Sequence, residues 1–146
     1  MHKRAPNDRT KMVRKLLDEM ELSYKTLANG DAPVFYIILT ELGKDVGLFL
    51  DVSEGRLGLM SVLEHLELGD SAGEELQKKV ILANKLNNEY LQTKFMVRED
   101  DFIAVYQMLF PEMVKSKVCG LIKEALLSFM MDLEDYYQKA NSKADS

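Results

Sequence analysis

Few side chains in this 146-residue chain are able to do chemistry, and their spacing decides what each can do. His65 stands in Glu64-His-Leu-Glu67, a histidine beside carboxylates as in a metal site, but no zinc or calcium ligand spacing surrounds it. It reads instead as a surface histidine at the end of a strand. The acidic pairs Asp100-Asp101 and Glu134-Asp135 hold a divalent cation only where oxygens distant in sequence converge on them. Asp100-Asp101 has the composition of a hairpin turn. The single cysteine, Cys119, lies in an apolar helical pattern, as a small buried hydrophobe does, and it excludes an intrachain disulfide. Neither His2 nor His65 stands near it in sequence to activate a thiolate. No serine occupies a Gly-x-Ser-x-Gly elbow, and Gly55-Arg-Leu-Gly58 lacks the run of backbone donors before a helix that cradles phosphate. The chain is expected to be no enzyme, with no catalytic residue, cofactor or metal.

Two features are left for function. Leu82-Ala-Asn-Lys-Leu-Asn-Asn-Glu-Tyr90 reads as helix yet spends three positions on asparagine, a poor helix former. Asn84 and Asn87 fall on the side that includes Val80 and Leu91. They are predicted to point inward and bond backbone groups of the adjoining strands or loop, because an amide donates and accepts together. The second feature is methionine, which occurs nine times and suits adaptable contact surfaces. Met60, Met96 and Met108 on strands, with Phe129, Met130, Leu133 and Tyr137 on the last helix, form the expected partner interface.

The elements that position these residues follow from periodicity. Met12, Val13, Leu16, Leu17, Met20, Tyr24 and Leu27 recur at helical intervals and predict a first helix from Asp8 to Ala28, capped by Asn7 or Asp8 and stopped by Asn29-Gly30. Val34–Leu39, Val46–Ser53 and Leu57–Leu63 predict three antiparallel strands, with turns at Glu41–Asp45 and around Gly55. A second helix begins after Asp70 or Ser71 and continues to Leu91. Thr93–Arg98 and Asp101–Met108 predict a hairpin, and a long apolar helix follows Pro111 to about Ala140, with Gly120 marking close packing. The expected fold is a single α+β domain over residues 1–146 with the order α-β-β-β-α-β-β-α. Helices lie on one face of an antiparallel sheet, the ordered core spans about 8–140, and the termini are flexible.

Composition narrows the partners. Nineteen basic against twenty-four acidic residues give a formal net charge of −5, which argues against nucleic acid, since affinity there rests on neutralising phosphates. The basic cluster Lys3, Arg4, Arg9, Lys11, Arg14 and Lys15 reads as a solvated helix face. No apolar run is long enough to span a membrane, and no hydrophobic segment follows the N-terminal Met-His-Lys-Arg-Ala-Pro. A cytoplasmic location with no membrane partner is expected.

The predicted order resembles the fold shared by type III secretion chaperones and the YbjN family of bacterial proteins. Ile81-Leu-Ala-Asn-Lys-Leu-Asn-Asn-Glu-Tyr-Leu-Gln-Thr-Lys-Phe95 resembles the YbjN pattern of an asparagine-bearing helix feeding a strand through a Lys-Phe step. Asp100-Asp-Phe-Ile-Ala-Val-Tyr106 resembles its acidic turn and outgoing strand, and Val114 to Tyr137 its closing helix. By motif the resemblance covers Val80 to Tyr137. It implies a bacterial, cytoplasmic, non-enzymatic regulator, a homodimer that presents an apolar surface to a protein or peptide. A secretion chaperone holding an extended client segment is the alternative. A small enzyme with a dispersed acidic site is the alternative from another class.

Overall fold

The computed structural model describes residues 8–30, 32–40, 46–66, 72–110 and 115–144. The first helix, α1 (Asp8–Glu19), is shorter than its periodicity predicts. Leu22 N–H bonds Leu17 O at 3.1 Å and Glu21 N–H bonds Asp18 O at 3.0 Å, while Glu21 takes φ 59°. This pattern is a Schellman stop, usually built on glycine, here carried by a glutamate. Tyr24 and Leu27, three apart, fit a helical period, whereas the strand turns them to opposite faces: Tyr24 packs against the core and Leu27 is exposed. The segment Ser23–Ala28 is strand β1, alternately exposed and half-buried. The expected single helix is thus a helix and a strand, and the order becomes α-β-β-β-β-α-β-β-α.

The remaining elements are β2 (Val34–Leu39), β3 (Val46–Ser53), β4 (Arg56–His65), α2 (Ala72–Glu89), β5 (Lys94–Arg98), β6 (Asp101–Leu109) and α3 (Lys115–Ala144). All six strands join one antiparallel sheet in the order β1-β2-β3-β4-β6-β5. The α+β class and the helices gathered on one face are therefore observed. The caps at Asn7, Asp70 and Ser71, the Glu41–Asp45 turn and both extreme termini lie outside the described residues.

Two tight turns set the register. Gly55 takes φ 72° between β3 and β4, and its carbonyl accepts the Phe110 N–H at 2.9 Å. Between β5 and β6, Glu99 takes φ 56°, a conformation that glycine, asparagine or aspartate usually supplies in a two-residue hairpin.

The core lies between the sheet and the helices. Phe35 and Ile37 of β2, Leu48 and Leu50 of β3, Leu57 of β4 and Phe102 of β6 project to one face and are fully buried. Ile122, Leu126, Phe129 and Leu133 of α3 bury against them, as do Val13 and Leu17 of α1. Gly120 is exposed, and a Cβ there would meet nothing within 4 Å, so it marks no close packing. Cys119 is half-buried at the border of the core.

Candidate functional site: the uncovered face of the sheet

The period of two that buries Phe35 and Ile37 turns their neighbours to the opposite face. Cross-strand pairing there aligns Lys25, Tyr36, Phe49, Met60, Val105 and Lys94 in one row across all six strands. Four apolar residues on central strands are thus bracketed by a lysine on each edge strand. The adjacent row holds Ile38 opposite Gly47, and Ile103 between Val62 and Met96. Among the described residues, no helix packs on this face. Val62 is 39% exposed and Met96 40%, Tyr36, Ile38, Phe49, Met60 and Val105 are half-buried, and Ile103 is buried.

Tyr36 and Phe49 meet with ring centroids 5.0 Å apart at 60°. The Tyr36 ring lies over Gly47, where a Cβ would come within 1.9 Å of the phenol oxygen. Glycine here is what lets the ring lie down and broaden the apolar surface. Asp51 likewise folds its carboxylate over Gly58, within 2.8 Å of where a Cβ would stand.

The β5 edge of the sheet is capped by a side chain. On β5, the Asn87 side chain accepts the Phe95 N–H at 2.7 Å and donates to Phe95 O at 3.0 Å. One amide of α2 thereby pairs both outward backbone groups of an edge residue and blocks another strand from adding there. Lys94 Nζ reaches Tyr90 O at 3.2 Å and Asn87 O at 3.4 Å, satisfying carbonyls at the C-terminal end of α2. Thr93 donates to Asp132 at 2.5 Å, and Tyr90 donates its phenol proton to Asp135. Burial, followed by the Asp135 contact, pushes the Tyr90 phenol far above its ordinary value. The same hydrogen bond, with Lys139, holds the Asp135 carboxyl below the usual range. Of the acidic pair noted in the sequence, Asp135 is thus a fastener between α2 and α3.

At the end of β4, His65 Nδ1 lies 2.8 Å from Asp101 and Nε2 lies 3.6 Å from Asp100. Leu66 N–H bonds Asp100 O at 2.7 Å, so the β5–β6 turn is clasped to the end of β4. The three side chains place ligand atoms within 4.8 Å of one another, a set able to hold a divalent cation. The His65–Asp101 hydrogen bond and the Leu66–Asp100 backbone bond account for the arrangement without one. Two surface grooves flank α3. One, of about 410 Å³, runs past Met20, Leu22, Ile38 and Leu127; the other, of about 700 Å³, lies between α2 and α3 past Leu82, Leu86 and Tyr136. In the second, Lys79 pairs with Glu64 and Lys139 with Glu89 and Asp135.

Across solved structures, the chain matches the crystal structure of YbjN from E. coli, described as a candidate transcription regulator. The TM-score is 0.55 over 92% of this chain and 93% of that one, with 13% of residues identical. This is a YbjN-like fold. No protein-family model matches the sequence, and no curated protein does either. No helix among the described residues is long and apolar enough to cross a membrane.

Within the YbjN-like fold, the residues expected at a partner interface separate. Met60 and Met96 lie on the uncovered face. Phe129, Leu133 and Tyr137 do not reach a surface: they fill the space between α3 and the sheet, because the apolar stripe of α3 faces inward. Met108 and Met130 are half-buried at the border of that core. The asparagines separate as well. Asn87 makes the edge bonds described above, whereas Asn84 is exposed and does not point inward. The buried side of α2 is Ala83, Leu86 and Tyr90, and Asn84 stands nearly opposite Leu86 on the helix. Sequence reasoning did not single out the surface residues Tyr36 and Phe49. Val34-Phe-Tyr-Ile-Ile-Leu39 is apolar at every position and cannot distinguish the two faces, whereas in Val46–Ser53 the alternation sets Phe49 on the side of Gly47, Asp51 and Ser53.

Proposed function

We propose that the protein is a non-enzymatic cytoplasmic regulator that holds a protein or peptide partner on the uncovered face of its sheet and works as a homodimer. The observation carrying this reading is the apolar row Tyr36, Phe49, Met60 and Val105, together with Val62 and Met96 beside it. The solvated face of an antiparallel sheet is ordinarily polar, and a contiguous exposed apolar patch marks a binding surface. The description of the YbjN structure as a candidate regulator supports a binding role over a catalytic one. For the second copy, the outer side of α3 offers Leu127 and Met131, one turn apart and both exposed.

The test separates the two surfaces. Affinity capture from the native host is run with the wild-type chain and with Val62→Glu and Met96→Glu. The expected result is a specific partner retained by the wild type and lost by both variants, with melting temperatures unchanged. Equal retention by all three chains would refute the face as the binding surface. Sedimentation is expected to show a wild-type dimer that Met131→Glu dissociates, and a strict wild-type monomer would remove the homodimer.

A further inference from the structure

The uncovered face carries charge of the sign opposite to the chain as a whole. Its strand positions include Lys25 on β1, Arg56 on β4, and Lys94 and Arg98 on β5, against the carboxylates Asp51 and Asp101. The chain carries a formal −5. Four of its cations are therefore gathered around one apolar surface on an otherwise acidic molecule. Lys94 spends its ammonium on the end of α2, and Asp101 is paired with His65. Lys25, Arg56 and Arg98 are exposed and form no ion pair with any described residue. They stand on an outer strand or at strand ends, so they surround the apolar rows without interrupting them.

From this charge pattern we infer that the occupant of the face is an acidic, apolar segment of a partner protein: its apolar side chains cover the two rows and its carboxylates meet Lys25, Arg56 and Arg98. The inference rests on the proposed binding role and adds the chemistry of the partner. A second copy of this chain placing the same face against itself would bring cationic borders together in an isologous contact. That arrangement costs attraction and sets like charges close. Single-stranded nucleic acid needs aromatic planes free for bases. Tyr36 and Phe49 instead pack against each other, and Tyr36 lies on Gly47. The acidic segment satisfies both the apolar rows and the borders. Six strands are about 24 Å across, the length of a helix of about sixteen residues.

The experiment uses fluorescent amphipathic peptides of about that length, with leucine at helical spacing and either glutamate or lysine elsewhere, and a labelled oligouridylate. The acidic peptide is expected to bind the full chain at least tenfold more tightly than the basic one, with the difference shrinking as salt rises. Lys25→Glu combined with Arg98→Glu is expected to reverse the preference, both positions being exposed and remote from the core. Val62→Glu is expected to abolish binding of both peptides. Equal binding of the two peptides, both lost in Val62→Glu, would leave the binding face standing and overturn its acidic partner. Tighter binding of the basic peptide or of oligouridylate would overturn it as well. Binding of no probe, by a chain that also retains no host protein on this face, would remove both readings.

Discussion

The two faces of the sheet are made from the same strands and nearly the same residue types, yet they do opposite work. Phe35 and Tyr36 are neighbours in β2; one is fully buried against the helices and the other lies half-open over Gly47. On the covered face Phe129 inserts from α3 and meets Tyr106 edge-on at 6.4 Å. On the other face Phe49 has Tyr36 beside it and no helix above. Apolar character alone therefore does not separate core from surface in this protein. The difference is whether a helix stripe is available to complete the burial, and α3 has its stripe on one side.

This comparison can be broken by substitution. The largest expected effect is on the covered face: Phe129→Ala is predicted to destabilise by about 3–5 kcal/mol, the cost of lost burial and the cavity left behind. Val62→Ser on the open face is predicted to cost under about 1 kcal/mol, since the site is already in contact with water. Denaturant unfolding of the two variants checks the contrast, and similar losses would mean that the open face is covered in solution. Next is the capped edge. Asn87→Ala leaves the Phe95 N–H and carbonyl without partners and is predicted to cost about 1–3 kcal/mol. Asn84→Ala, three residues away, is predicted to be neutral or slightly stabilising.

A smaller and pH-dependent difference follows from Tyr136 under the sheet. Burial first, then the Glu64 carboxylate, pushes its phenol up to about 12 from an ordinary 10.0. A folded-state value above the unfolded one contributes stability that is whole below pH 10 and lost as pH rises toward 12. Alkaline unfolding monitored by circular dichroism is predicted to shift to higher pH in Tyr136→Phe. The smallest effect is a gain: Gly120→Ala on the exposed side of α3 is predicted to stabilise by up to about 1 kcal/mol, read as a rise in melting temperature.

Much of the fold was legible in local pattern. The alternation in Val46–Ser53, the hairpin around Glu99-Asp100 and the long stripe of α3 each identified an element and its inward side. Where the pattern misled, a nonlocal or unusual local choice intervened. The helix stop at Glu21 was hidden because a glutamate occupies a left-handed position that glycine normally marks. The site was less legible, since Tyr36, Phe49, Met60 and Val105 form one row only after β2, β3, β4 and β6 pair.

By itself, the sequence determined the class of each long element, because side-chain periods of 2 and 3.6 are properties of the local backbone. It also determined the −5 charge and the lack of a known catalytic spacing. Only the tertiary structure decided which apolar face is left open and which asparagine reaches a strand edge. It likewise decided that scattered lysines and arginines border one surface. Those outcomes depend on strand order and helix placement, and residues far apart in the chain acquire a common surface only through them.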